Sequence, residues 1–135
     1  KGVFFCSQIV ARQMMQQGHG KIVHIASQLA TVAMAQRSIY AITKAGVAHM
    51  AKAFALELAP HGISVNAVAP TFVRTPFSEP MFADEAFYQE VVNKIPLGRV
   101  GEVEDVLGAI VFLASPASDL VTGHTLLVDG GWTAW

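Results

Sequence analysis

Charge is scarce in this chain. Asp, Glu, Lys and Arg make up only 14% of its 135 residues, where an ordinary soluble domain carries about 25%. More apolar surface than usual must therefore be buried, either at an association face or against further polypeptide. The net charge is -1 and no run of Lys or Arg occurs, which leaves no electrostatic footprint for a nucleic acid or an anionic membrane surface. Small molecules are the expected ligands. Long apolar runs are also missing: the longest, Val106 to Ala114, falls far short of the ~20 residues that span a bilayer, so a soluble, non-membrane protein is expected. The single Cys6 excludes an internal disulfide, and no Cys or His pair shows metal-ligand spacing. No metal is expected, and a reducing cytoplasm fits. Cys6, among apolar neighbours, reads as a core thiol. Lys1 opens an amphipathic segment rather than a signal peptide, and with no initiating Met the chain is expected to continue upstream.

The order of elements is legible in the hydrophobic pattern. Residues 3 to 17 read as a helix, with Val3, Ile9, Val10 and Met14 at helical spacing and Gly18 and Gly20 as stops. Lys21 to Ser27 is short and β-branched, as a buried parallel strand would be. Ser38 to Leu58 is rich in Ala and Leu, lacks Pro, and ends before Pro60 and Gly62, which predicts one long helix. Ile63 to Ala69 is the next strand, closed by Pro70. Residues 71 to 100 form an irregular apolar insert with a short helix near Asp84 to Asn93. A helix over Glu102 to Leu113 and a strand over Thr125 to Val128, stopped by Gly130 and Gly131, complete the order.

Such alternation predicts an α/β fold with a parallel sheet, helices on both faces and right-handed crossovers. In sheets of this kind the ligand crevice lies outside the C-terminal ends of the strands. Ser27 and Gln28, Pro70 to Thr75, and Gly130 and Gly131 occupy those ends.

Tyr40 and Lys44 are four apart on a predicted helix, so both side chains leave one face and can meet at one substrate. Alone, the pair fits a surface Tyr packed along a Lys stem better than a catalytic pair. Ser27, 13 residues earlier at a strand tip, changes that balance, because it stands on the edge where an α/β site is expected. The chemistry is coherent: a phenol, with a reference pKa of about 10, is a poor base near neutrality, and a nearby ammonium favours the phenolate. His24, mid-strand, reads as structural, and His19, His49, His61 and His124 form no pattern.

Four segments in this order resemble the short-chain dehydrogenase/reductase family across nearly the whole chain. GKIVHIAS resembles the strand ending in the catalytic serine, and YAITKAG the Tyr-x-x-x-Lys helix. VNAVAPTFVRT resembles the segment that covers the nicotinamide, and LLVDGGW the closing strand. The resemblance implies residues 1–135 to be the C-terminal part of one Rossmann-type, NAD(P)-binding domain, with only the last three strands of its sheet. It implies an oxidoreductase that moves a hydride between NAD or NADP and a small alcohol or carbonyl. Tyr40 would be the general acid/base, Ser27 would hydrogen-bond the reacting oxygen, and Lys44 would assist Tyr40 and reach the nicotinamide ribose. Pro70, the main chain of Val73 and the hydroxyl of Thr75 would bind the carboxamide. Thr71 stands where the family commonly has glycine, which puts the local backbone detail in question.

The insert 71–100 would be a lid, with Phe77, Met81, Phe82, Phe87 and Tyr88 divided between core packing and pocket lining. The resemblance also implies features that the sequence does not contain: a glycine-rich phosphate loop, a residue choosing NAD or NADP, and a catalytic asparagine, all expected before Lys1. The 135 residues alone are thus expected neither to bind the cofactor tightly nor to turn over. APTFVRTPF and DGGWTAW look most like relatives acting on sugars, sugar acids or polyols. The alternatives are a 3-oxoacyl carrier-protein reductase, an epimerase or dehydratase, and a non-catalytic fragment acting by association. A homo-oligomer, tetramer or dimer, is expected in each case.

Overall fold

The computed structural model describes residues 1–134. Helix α1 (Gly2–Gln17) ends at Gly18, whose positive φ of 74° lets its N–H reach back to the Met14 carbonyl at 2.9 Å. Strand β1 (Gly20–Ile25) follows, then a single tight turn over Gln28–Ala30 and the long helix α2 (Ser38–Leu58). Strand β2 (Ile63–Pro70) leads into an insert with helices α3 (Glu79–Phe82) and α4 (Glu85–Asn93). Helix α5 (Val103–Ala114) and strand β3 (Thr125–Val128) finish the chain.

The three strands form one parallel sheet in the order β1-β2-β3. Central β2 shows the two-residue alternation of a strand covered on both faces. Ile63, Val65, Ala67 and Ala69 meet α1 and α2 through Ala11, Ala51, Phe54, Ala55 and Leu58. Val68 faces the other way, with Val23, Leu126 and Val128, onto Val106, Ala109, Ile110 and Leu113 of α5. The result is three layers, each large apolar side chain so buried contributing about 1.5–3 kcal/mol. The expected α/β architecture is the observed one.

Two readings need correction. The inward stripe of α1 consists of the small residues Ser7 and Ala11, whereas Val3, Ile9 and Val10 are exposed. Close approach of α1 to the sheet needs small side chains, so the large apolar ones turn outward. Cys6, next to Ser7, is carried out with them and is exposed rather than a core thiol. The first strand also ends at Ile25, because the chain leaves the sheet before Ser27.

Buried Asn66 locks β3 beside β2. Its amide donates to the Val121 carbonyl at 2.8 Å and its carbonyl accepts from the His124 N–H at 3.0 Å. His24 is buried on the α1 side. The Ser7 hydroxyl donates to the Val3 carbonyl, so its 2.9 Å contact with His24 Nε2 uses the hydrogen on the ring. Nδ1 is then a buried acceptor without a partner, and burial pulls the imidazole pKa below its usual 6.5.

The insert is more ordered than the sequence suggests. Asp84 caps α4 by accepting from the Ala86 and Phe87 N–H groups at 3.0 and 3.2 Å. Phe82, Val91, Ile95 and Val100 form a second core with Trp132, against which Phe72, Phe87 and Tyr88 pack. The insert is anchored at both ends. Arg74 grips Glu79 with two bonds of 2.9 and 3.0 Å, and Arg99 grips Asp105 at 2.6 and 2.9 Å. That guanidinium, with the Glu102 N–H, holds the Asp105 carboxyl far below the usual range. At the end of β3, Gly130 and Gly131 adopt φ of 61° and 91°, open only to glycine without strain. The Asp129 carboxylate fixes the turn by accepting from the Gly131 and Thr133 N–H groups.

Candidate active site

A cleft of ≈ 520 Å³ opens at the C-terminal ends of β1 and β2, the edge at which α/β sheets bind ligands. Ser27, Tyr40, Lys44, Pro70, Val73 and Thr75 all line it. These six residues are thus brought to one cavity by three separate segments, whereas Arg74, Gly130 and Gly131, also placed at the strand ends by the sequence, do not line it.

Each wall has a local cause. Beyond Ile25 the chain turns, and buried Ser27 caps the turn, its oxygen accepting the Leu29 N–H at 3.2 Å while its hydroxyl donates to Gln28 Oε1 at 2.8 Å. Tyr40 and Lys44 rise from the first two turns of α2, which presents them side by side. The Lys44 ammonium lies 5.7 Å from the Tyr40 ring centroid and donates to the Ile25 carbonyl at 2.9 Å. The strand tip that presents Ser27 thereby also fixes Lys44. Burial pulls the Lys44 pKa below that of an ordinary amine. Tyr40 is about half exposed, its ring reaching into the cleft.

The third wall is the segment after β2. A parallel bridge to Gly101 fixes Val73, with the Arg74 N–H and the Phe72 carbonyl both bonded to Gly101 at 2.8 Å. The N–H and C=O of Val73 itself point the other way. Its carbonyl accepts from the Ser78 hydroxyl at 2.6 Å, and its N–H has no partner among the described residues. Ser78 also accepts from the Thr75 N–H at 2.9 Å and contacts the Thr75 hydroxyl at 3.1 Å. Ser78 is therefore the staple of this wall. Thr71 needs no glycine conformation, since its φ is not positive, and its hydroxyl is buried without a partner.

The insert's aromatic residues divide as their positions require. Phe77 and Met81 line the cleft, whereas Phe82, Phe87 and Tyr88 belong to the second core. Gln28, placed by the sequence at the strand end, lines the cleft, and sequence reasoning missed Arg37 and Ser78, which line it too. Neither of those two had a signal in the local pattern. No group of acidic, His or Cys residues among those described could hold a metal ion, and no described helix is long and apolar enough to cross a membrane.

Ser27, Tyr40 and Lys44 thus converge at the strand ends of a parallel three-layer α/β fold, the edge at which such sheets take their ligands. The chain belongs to the short-chain dehydrogenase/reductase family: residues 1–133 match the family model described as enoyl-(acyl carrier protein) reductase. It is 44% identical to the 2-dehydro-3-deoxy-D-gluconate 5-dehydrogenase of Bacillus subtilis over 96% of its length and 51% of that protein's. It is 44% identical to the L-xylulose reductase of Mesocricetus auratus, over 98% of its length and 54% of that protein's. Among solved structures, a gluconate 5-dehydrogenase from Burkholderia cenocepacia in complex with NADP and tartrate superposes with a TM-score of 0.96. Its identity is 41%, over 99% of this chain and 52% of that one. The chain spans about half the length of the relatives it matches.

Proposed function

We propose that this chain carries the proton-handling half of an NAD(P)-dependent oxidoreductase acting on a small alcohol or carbonyl compound of the sugar, sugar-acid or polyol type. The observation that carries the reading is the convergence of Ser27, Tyr40 and Lys44 in one cleft at the strand ends. In reduction, the Tyr40 hydroxyl gives its proton to the substrate's carbonyl oxygen; in oxidation, the phenolate takes it back. Ser27 donates a hydrogen bond to that oxygen, exchanging its Gln28 partner for the substrate. The Lys44 ammonium favours the phenolate and reaches the ribose hydroxyls of the cofactor.

The residues present fit a nicotinamide. The free N–H of Val73 suits the oxygen of a carboxamide, Thr75 adds a hydroxyl beside it, and Pro70 shapes the floor. When bound, the cofactor supplies or accepts the hydride. The NADP in the solved relative and the sugar-acid and ketose names of the others support this class of cofactor and substrate. Residues 71–100 act as the lid, with Phe77 and Met81 excluding water from the reacting carbon.

The exposed apolar side chains of α1 and α2, among them Phe5, Ile9, Ile42 and Leu56, support a homo-oligomer, tetramer or dimer. A cytoplasmic setting suits the cofactor. No glycine-rich phosphate loop lies within the 135 residues, so this polypeptide by itself binds NADH or NADPH weakly and does not turn over. Steady consumption of NADPH or NADH by the intact protein with a ketose or keto-acid tests the reading. Isomerisation without net consumption would place the chemistry with epimerases instead.

A further inference from the structure

We propose that Arg37 selects substrates bearing a carboxylate, so that the reaction above, on which this inference rests, takes a sugar-acid anion in preference to a neutral ketose or polyol. Among the described residues the cleft is lined by two cations, Lys44 and Arg37, and by no Asp or Glu. Lys44 serves Tyr40 and the ribose of the cofactor in that reading, and one of its donors is held by the Ile25 carbonyl. Arg37 has neither an ion pair nor a side-chain hydrogen bond among the described residues. Arg74 and Arg99 differ sharply: each holds a carboxylate with two bonds.

A half-buried guanidinium facing a cavity without a counter-ion lacks only its anion, and the planar fork of arginine matches a carboxylate bidentately. The side chain is also steadied. Its guanidinium lies 6.0 Å from the Phe87 ring centroid, and Phe87 packs against the insert's core. The backbone turns into this position at Gln36, whose φ of 61° makes it the one described non-glycine residue in the left-handed region. Such a conformation persists where the surroundings enforce it, commonly at binding sites.

Arg37 is the N-cap of α2 and Tyr40 stands three residues further on, in its first turn, and both side chains line the cleft. A short-chain acid can therefore rest its carboxylate on Arg37 while a carbon further along meets Tyr40. A neutral substrate of equal length would leave the guanidinium unpaired.

The test compares kcat/KM for gluconate and sorbitol, six-carbon chains that differ at the acid group, in the intact protein with NADP and NAD. Wild type is expected to favour gluconate by at least ~10-fold, and Arg37→Gln to shrink the gluconate-to-sorbitol ratio ~10- to 100-fold, mainly through KM. Arg37→Lys should recover part of the ratio, since it keeps the charge without the fork. Because both substrates meet the same active fraction, partial misfolding cancels in the ratio. Equal or better use of sorbitol by wild type, or a ratio untouched by Arg37→Gln, overturns the inference while leaving the oxidoreductase reading intact. Failure to oxidise either compound overturns the inference, while the oxidoreductase reading is decided separately by consumption of NADPH or NADH with a ketose or keto-acid.

Discussion

Ser78→Ala removes the staple of the cleft's third wall without touching a reacting group. The Ser78 hydroxyl gives its hydrogen to the Val73 carbonyl at 2.6 Å and accepts from the Thr75 N–H at 2.9 Å. The alanine variant leaves both backbone groups without that partner in a part-buried turn. At about 0.5–1.5 kcal/mol net per bond, the segment loses roughly 1–3 kcal/mol of local stability, equivalent to a ~5- to 150-fold larger open population. Because Val73 and Thr75 are the proposed carboxamide holders, the loss should appear as a higher KM for the nicotinamide cofactor, with a smaller change in kcat. Hydrogen exchange of the Thr75 amide reads the same event directly and should accelerate in proportion. Unchanged Thr75 protection together with an unchanged cofactor KM would refute the reasoning.

Other consequences follow from groups further off. Burial lowers the pKa of His24, so as pH falls below about 6.5 the unfolded chain takes up a proton before the folded one. Stability is then whole above that pH and declines below it, at up to ~1.4 kcal/mol per pH unit. His24→Gln, which keeps a donor for Ser7, should flatten that part of the melting-temperature profile; an equally steep profile would exclude His24 as its source. Asn66→Ala unpairs the Val121 carbonyl and the His124 N–H and should cost about 2–4 kcal/mol. Urea denaturation should show it as a lower midpoint at constant slope, and a cost below about 0.5 kcal/mol would mean that water replaces the amide.

The parts legible in the sequence were those fixed by local pattern. The Pro-free, Ala-rich run from Ser38 to Leu58 gave α2 with both its ends, and the β-branched ISVNAVA run gave the central strand. Tyr40 and Lys44 could be paired because helical spacing alone puts them on one face. Ser78, Arg37 and Asn66 were not legible, since their roles depend on neighbours that only the fold supplies. The partners of Asn66, for instance, lie 55 and 58 residues away. Cys6 was misread for a related reason: periodicity shows that a helix has an apolar face, but not that the sheet accepts the smaller side chains of Ser7 and Ala11.

The central claim is that Tyr40 handles the proton. Its most direct test is the turnover of Tyr40→Phe in the intact protein, measured with NADPH or NADH and a carbonyl substrate that wild type reduces. The account predicts a fall in kcat of about 10²- to 10⁴-fold with cofactor binding retained. Turnover within about threefold of wild type, well below what removing a general acid costs, would contradict it.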